Sequence, residues 1–383
     1  MKRSTLLKTE TPTDSEKIDW LRLTRTEHIG PVTFYQLMAR FGTAAQALDA
    51  LPELSKRGGR ARPLIAASRT EAEREFAALQ KIGGDVITAS CEAYPLALSA
   101  LDDAPPVLSI LGNPALLNRS CVGIVGARNA SLNGRKFAEK ISRELGQRGQ
   151  VIASGLARGI DTAAHQGSLE TGTIAVVAGG IDVVYPEENQ KLYEQIAERG
   201  AILAESKFGQ KPFAQSFPRR NRIVSGLSKG VVIVEATMKS GSLITARLAG
   251  EQGRDVYAVP GSPLDPRAAG PNHLIREGAT LVRGADDVME ALLNFSGNAL
   301  REPLFASTGY DIAPLSAENP ADSEREAVLS CLSHAPINID ELIRACHLTV
   351  SAVQTILLEL ELAGRVRRLP GHRVSLISGD AEG

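Results

Sequence analysis

The sequence predicts an α/β protein: an extended Rossmann-like parallel sheet, preceded by a small helical domain and followed by a winged helix. Three observations carry this prediction. Between residues 84 and 297, short runs of apolar residues alternate with amphipathic helical stretches. Such runs, apolar throughout, belong to parallel strands covered on both faces. Several of them end in glycines, at 126, 155 and 179–180, as strand-to-helix turns do. Finally, the stretch 323–378 reads as three helices and a basic hairpin.

The elements follow in order. Residues 1–15 are polar and read as a disordered lead, without the apolar stretch of a signal peptide. Residues 16–83 carry Trp20, Leu21, Leu23, Ile29, Val32, Leu37, Met38 and Phe41 at helical spacings, broken at Gly30-Pro31 and Gly42-Thr43. That pattern predicts short helices of helix–hairpin–helix (SAM-like) character. Such a module can hold a DNA backbone or serve as an interaction cap, and the cap is the favoured reading. Strands are predicted at 122–125, 151–153, 174–177, 202–204, 231–234, 256–259 and 280–282, with helices such as 135–145 and 190–199 between them. A linker with Pro303, Pro314 and Pro320 spans 298–322. In the last domain the helices are 324–332, 339–345 after Asn338, and 350–363 after Thr349 and before Gly364. The hairpin 365–376 turns at Pro370-Gly371.

Composition excludes more than it assigns. A chain of 383 residues with 43% hydrophobic residues holds two or three ordinary domains. Net charge is −1, so an argument for a nucleic-acid partner must be local. Cys91, Cys121, Cys331 and Cys346 form no CxxC pair, which predicts reduced thiols and neither zinc site nor disulfide framework. No apolar run is long enough to cross a membrane. The expectation is a cytoplasmic protein without metal or cofactor.

In an open α/β sheet, ligands bind beyond the carboxyl ends of the strands. Four strand-end segments are unusual here. Gly126-Ala127-Arg128 lacks the spacing of a dinucleotide loop but can offer backbone N–H groups and a guanidinium to a phosphate. The segment 154–161, SGLARGID, places Ser154, Gly155, Arg158 and Gly159 before a helix start. Asp161 and His165 share a face of that helix, and the structural reading of them is preferred to acid–base chemistry. Between residues 206 and 234 there is no acidic residue, while Lys207, Lys211, Arg219, Arg220, Arg222 and Lys229 are interleaved with Phe208, Phe213 and Phe217. Basic and aromatic residues together suit single strands, whose bases stack and whose phosphates pair. The segment 239–245, KSGSLIT, resembles a phosphate loop but is not a Walker A motif, so ATP hydrolysis is not expected. The wing is basic (Arg365, Arg367, Arg368, His372 and Arg373). The helix before it offers mainly Gln354 and Thr355 as base readers and carries Glu359 and Glu361, which makes it a poor recognition helix. No HExxH, GxSxG or Cys/His cluster is present, so no catalytic residue is assigned.

Taken in order, five stretches resemble the DprA/Smf family: SGLARGIDTAAHQGSL (154–169), GGIDVVYPEENQKL (179–192), FPRRNRIVSGLS (217–228), EATMKSGSLITARLAGEQGRDVYAVPG (235–261) and GPNHLIREGATLV (270–282). The resemblance implies an extended Rossmann domain, sequence-independent binding and protection of single-stranded DNA, a homodimer, and loading of RecA recombinase during natural transformation or recombination. The DNA contacts it implies are Arg128, Ser154, Gly155, Arg158, Lys191, Lys211, Phe213, Arg219, Arg220, Asn221, Arg222 and Ser242, with Arg128, Arg220 and Arg222 foremost. Asn272, Leu274, Ile275 and Leu281 would lie in the dimer surface. Ala127 stands where the family often has Ser.

Two rival readings remain. One is a nucleotide phosphoribohydrolase using Glu235, although the PGGxGT loop of that group is missing. The other is a transcription regulator with a nucleotide-sensing central domain and a winged helix that reads duplex DNA.

Overall fold

The computed structural model describes residues 12–298, 320–369 and 371–377. The first helix, α1 (Asp14–Arg25), starts inside the stretch read as a disordered lead. Thr13 accounts for this: its hydroxyl accepts from the Glu16 amide while the Glu16 carboxylate accepts from the Thr13 amide, a capping box. Residues 1–11 lie outside the described residues. α2 (Pro31–Phe41) opens on proline at its first turn, and Gly42, with φ +80, ends it. α3 (Ala44–Arg57) is capped by Thr43, and α4 (Arg69–Lys81) follows.

The sheet then forms. β1 (Asp85–Thr88), α5 (Leu96–Ser99) and β2 (Val107–Gly112) precede the predicted strands. Next come β3 (Cys121–Val125), α6 (Leu132–Gln147), β4 (Val151–Ser154), α7 (Ile160–Ser168), β5 (Thr173–Val177), α8 (Gln190–Arg199) and β6 (Ala201–Ala204). The second half holds α9 (Ser216–Leu227), β7 (Gly230–Ile233), α10 (Gly241–Glu251), β8 (Asp255–Ala258), α11 (Ala269–Arg276), β9 (Thr280–Leu281) and α12 (Ala285–Asn298). Strand order is β1-β2-β6-β5-β4-β3-β7-β8-β9. The strands from β6 to β9 in that order are parallel, and β1 and β2 add an antiparallel edge. The chain therefore starts the parallel sheet at β3, moves outward through β4, β5 and β6, then returns to the other side of β3 as β7. The reversal beside β3 is the topological switch point where α/β sheets hold ligands. Beneath it lies a core of Val122, Ile124, Ala138, Ile141, Ile152, Ile160 and Val232, all buried.

The final domain comprises α13 (Asp322–Cys331), β10 (Ile337–Asn338), α14 (Ile339–Cys346), α15 (Val350–Leu362), β11 (Val366–Leu369) and β12 (Arg373–Leu376). Its sheet order is β10-β12-β11, the hairpin of a wing plus one short strand. Val328, Leu342, Val353, Ile356, Leu357 and Val374 form its core. Arg325 crosses to Glu359 at 2.8 Å, a carboxylate fully buried on α15. The linker segment 299–319 and Pro370 of the predicted turn lie outside the described residues. The chain divides into two compact units, one made of residues 75–306 and one in which residues up to 74 join those from 307 onward.

Candidate nucleic-acid interface

The carboxyl ends of β3, β4 and β7 and the start of α9 surround an open cavity of about 710 Å³. Each loop is shaped by what the next one requires. Gly126 follows β3 because a Cβ there would stand 2.6 Å from Ile160 and 2.9 Å from the Glu235 carbonyl. Arg128 is exposed, and its guanidinium lies over the Phe217 ring, 4.9 Å from the centroid. A cation on an aromatic face is held in place while its remaining N–H groups stay available.

The loop after β4 is fixed from inside. Asp161 accepts from the amides of Gly155 (3.1 Å) and Ala157 (3.4 Å), and Asn189 donates to the Leu156 carbonyl at 2.9 Å. Burial pushes the Asp161 carboxyl above its ordinary range, against the opposing pull of Arg220 and those two amides. Gly159 takes φ +78, and a Cβ there would meet the Ala127 carbonyl at 2.3 Å. Arg220 reaches across from α9 and donates to the carbonyls of Gly155 and of Val176, the latter at 2.6 Å. It is buried yet lines the cavity floor, with its Nε lacking a partner. Burial pushes its pKa down to about 10, with Asp161 opposing and Arg128 assisting, so it keeps its charge near neutrality. His165, deeper still, binds Thr173 Oγ1 at 2.7 Å, and burial followed by the Arg220 charge pushes its pKa down to about 3. The structural reading of Asp161 and His165 therefore accounts for both groups.

At the far wall, Ser240 caps α10, and its hydroxyl lies 2.7 Å from that of Ser242. Asn221 leans toward them, with Nδ2 at 3.4 Å from the Gly241 carbonyl. Arg267, clamped by both oxygens of Asp265 at 3.0 Å, closes the rim. A narrower pocket of about 50 Å³ opens beside the main cavity between Arg128, Arg158, Tyr185, Phe217 and Arg220. Tyr185 is half exposed, and its ring lies 5.7 Å from that of Phe217.

Of the twelve residues assigned to DNA from the sequence, six meet around these two hollows: Arg128, Gly155, Arg158, Arg220, Asn221 and Ser242. Lys191, Lys211, Phe213 and Arg219 are exposed but are not among the lining residues. Two assignments need correction. Ser154 is fully buried and donates to the Ile124 carbonyl at 2.6 Å, so its hydroxyl serves the sheet. Arg222, one of the three foremost, is buried too. It pairs with Glu205 at 2.6 Å and donates to the Asp103 carbonyl at 2.6 Å. Burial disfavours its charge, but Glu205 and Asp103 outweigh that and hold its pKa above the ordinary value. Glu205 also takes Arg219 through both oxygens, at 3.0 and 3.1 Å. The acid-free window of the sequence thus begins one residue after a carboxylate that holds two of its arginines. Sequence reasoning missed Tyr185 and Arg267; for Tyr185 the available signal was an aromatic beside Pro186 in one of the quoted stretches. Glu235 is committed elsewhere, accepting from the amide and hydroxyl of Ser131 at 2.8 and 2.6 Å at the start of α6.

The model of the DNA recombination-mediator protein A family matches residues 85–293, the whole of this cavity. A DprA-like N-terminal HHH domain matches 14–78 and a DprA winged helix domain 312–372. This chain belongs to the DprA/Smf family. The DNA processing protein DprA of Bacillus subtilis is 44% identical over 222 residues, 57% of this chain and 75% of that relative. Protein Smf of Escherichia coli is 36% identical over 314 residues, covering 80% and 82%. The X-ray structure of DprA from Streptococcus pneumoniae superposes with a TM-score of 0.63 at 36% identity, covering 73% of this chain and 98% of that one. DNA processing protein A from Helicobacter pylori gives 0.51 at 32%, covering 55% and 96%; that structure concerns the protein's single-stranded DNA binding mode. The DprA/Smf fold is thus shown here with both terminal domains. Among the described residues no single helix is long and apolar enough to cross a membrane.

Proposed function

We propose that this DprA/Smf protein binds the sugar–phosphate backbone of single-stranded DNA, without regard to sequence, in the cavity at the β3/β7 switch point. One observation carries the reading: Arg128, exposed and stacked on Phe217, stands over a floor formed by the Arg220 guanidinium and walled by the Ser240–Ser242 helix start. Cations and free amides at a helix start suit phosphates. The Tyr185–Phe217 pair, next to the pocket, suits a base released from its stack. Arg158, Lys191, Lys211, Phe213 and Arg219 would extend the track beyond the cavity. We further propose that the protein is a homodimer, that it protects incoming single strands, and that it hands them to RecA in natural transformation or recombination. The family description, a recombination mediator, supports that role.

The phosphoribohydrolase reading would require Glu235 as a free carboxylate, and Ser131 holds both of its oxygens. The reading is tested by fluorescence anisotropy of labelled poly-dT and of a matched duplex at two salt concentrations. Tight, salt-sensitive binding that favours the single strand is expected. Preference for the duplex would favour the regulator. Absence of binding to either would sink the proposal and turn attention to nucleotide hydrolysis.

A further inference from the structure

The N-terminal helices and the winged helix belong to one compact unit, and residues of the two ends meet within it. α15 packs on α2 and α3. Gln36 donates to Gln354 Oε1 at 3.0 Å, and Arg368 donates to Gln36 Oε1 at 3.1 Å. Arg365 donates to the Gly58 carbonyl at 3.3 Å, and Arg60 to the Leu362 carbonyl at 3.4 Å. The backbones also come close: a Cβ at Gly58 would stand 2.0 Å from the Glu359 carbonyl oxygen. At the other end of the contact, the ring of His28 lies against Gly364, where a Cβ would be 3.0 Å from Nε2. His28 sits at the Gly30-Pro31 hairpin between α1 and α2.

These are the elements through which each domain would touch DNA. Helix-turn-helix relatives read bases with the helix that α15 represents, and their wings rest on the backbone. In this chain Gln354 is engaged by Gln36 and Arg368, and Thr355 is fully buried with its hydroxyl unpartnered. Arg368 is divided between Gln36 of the N-terminal helices and Gln354 and Glu361 of its own domain, and Arg365, though exposed, reaches the Gly58 carbonyl.

We infer that the winged helix is a docking module for the chain's own N-terminal helices, and that α15 reads no base while docked. Because both partners sit on one chain, the contact is intramolecular. It therefore does not pay the cost of bringing two molecules together, and a modest polar joint suffices to keep it closed. The poor base-reading character of α15 follows, since its exposed chemistry is shaped for amide and guanidinium partners. This inference is independent of the reading of the central cavity.

The test uses the full chain with Thr355→Cys and follows maleimide labelling of the peptide containing that position by mass spectrometry. Glu326→Cys, at an exposed position of the same domain, is the reference. Docking predicts that Thr355→Cys reacts at least about tenfold more slowly than the reference, the protection expected of a closed joint. It also predicts that neither duplex nor single-stranded DNA raises that rate. Adding Gly58→Val, a wedge against the Glu359 carbonyl at a helix end with φ −69, should bring the rate up to that of the reference. Gln36→Cys reads the same joint from the N-terminal side should Thr355→Cys not fold. Labelling as fast as the reference would overturn the docking. A rise on adding duplex would also overturn it, and would make the winged helix a masked reader that DNA opens.

Discussion

Gly155 lies directly against the guanidinium of Arg220: a Cβ at position 155 would stand 2.0 Å from Nη1. The same nitrogen donates to the Gly155 carbonyl, while the Gly155 amide donates to Asp161. The glycine is thus the point where the β4 loop and α9 interlock. Gly155→Ala should push Arg220 off the cavity floor. Overpacking of this kind costs about 1–3 kcal/mol. Affinity for poly-dT should fall about tenfold, or 1.4 kcal/mol. Chemical denaturation and anisotropy read the two effects; unchanged affinity in a destabilised protein would separate Arg220 from DNA binding.

Arg128 and Arg222 should part company when each is changed to alanine. Arg128 is exposed, so its loss should leave stability within about 0.5 kcal/mol. Binding should weaken for every sequence alike, with the log K against log salt slope reduced by about 0.7. Arg222 pairs with Glu205 where both are almost fully buried, with side chains 8% and 11% exposed. Breaking such a pair costs about 3–5 kcal/mol, toward the lower end here because Arg219 continues to hold Glu205. The salt slope of Arg222→Ala, measured where the variant is folded, should match that of the unchanged protein. A lower slope would return Arg222 to the DNA contacts.

His165 makes stability depend on pH. Its folded pKa, about 3, lies below the ordinary 6.5 because it is buried beside Arg220. Between those values the unfolded chain binds more protons than the folded one, so stability rises with pH in that window and is lost as pH falls through it. From pH 6.5 to 5 the loss from this group is about 2 kcal/mol. Asp161, whose folded pKa is raised, contributes with the opposite sign, so the comparison must be made against His165→Gln. Urea denaturation at pH 7 and pH 5 should show a smaller decline in the variant. An equal decline would place the pH dependence elsewhere.

The parallel sheet was legible in the sequence because its strands are apolar on both faces and end in glycine-bearing turns. All seven predicted runs correspond to β3 through β9. β1 and β2 were not, since both are antiparallel and lie outside the strand–helix alternation, and β2 follows Pro105-Pro106. Sequence also located the loops of the cavity, because small and basic residues after a strand have few other uses. It misjudged which cations face outward. Whether Arg222 turns to solvent or to Glu205 depends on the path of β6 and α9, and a charge count over a window holds no record of that path. The same limit hid the partner of Gln354, which lies more than three hundred residues away in Gln36.

The outer edge of β9 offers the remaining prediction. β9 is the last strand of the sheet, so one side of its backbone has no strand neighbour among the described residues. Leu281 on it is 43% exposed, and Leu274 and Ile275 on α11 are half-buried. Asn272 is tied to the Gly261 loop by hydrogen bonds of 2.9 and 3.2 Å, which leaves the leucines and Ile275 as the apolar part of the proposed dimer face. An exposed edge carrying apolar side chains favours pairing with a second copy, and a lysine at such an edge opposes it. Leu281→Lys should therefore convert the dimer to a monomer by light scattering. Because the side chain is not in the core, unfolding of the monomer should change by no more than about 0.5 kcal/mol. A Leu281→Lys protein that remains dimeric would move the interface away from β9.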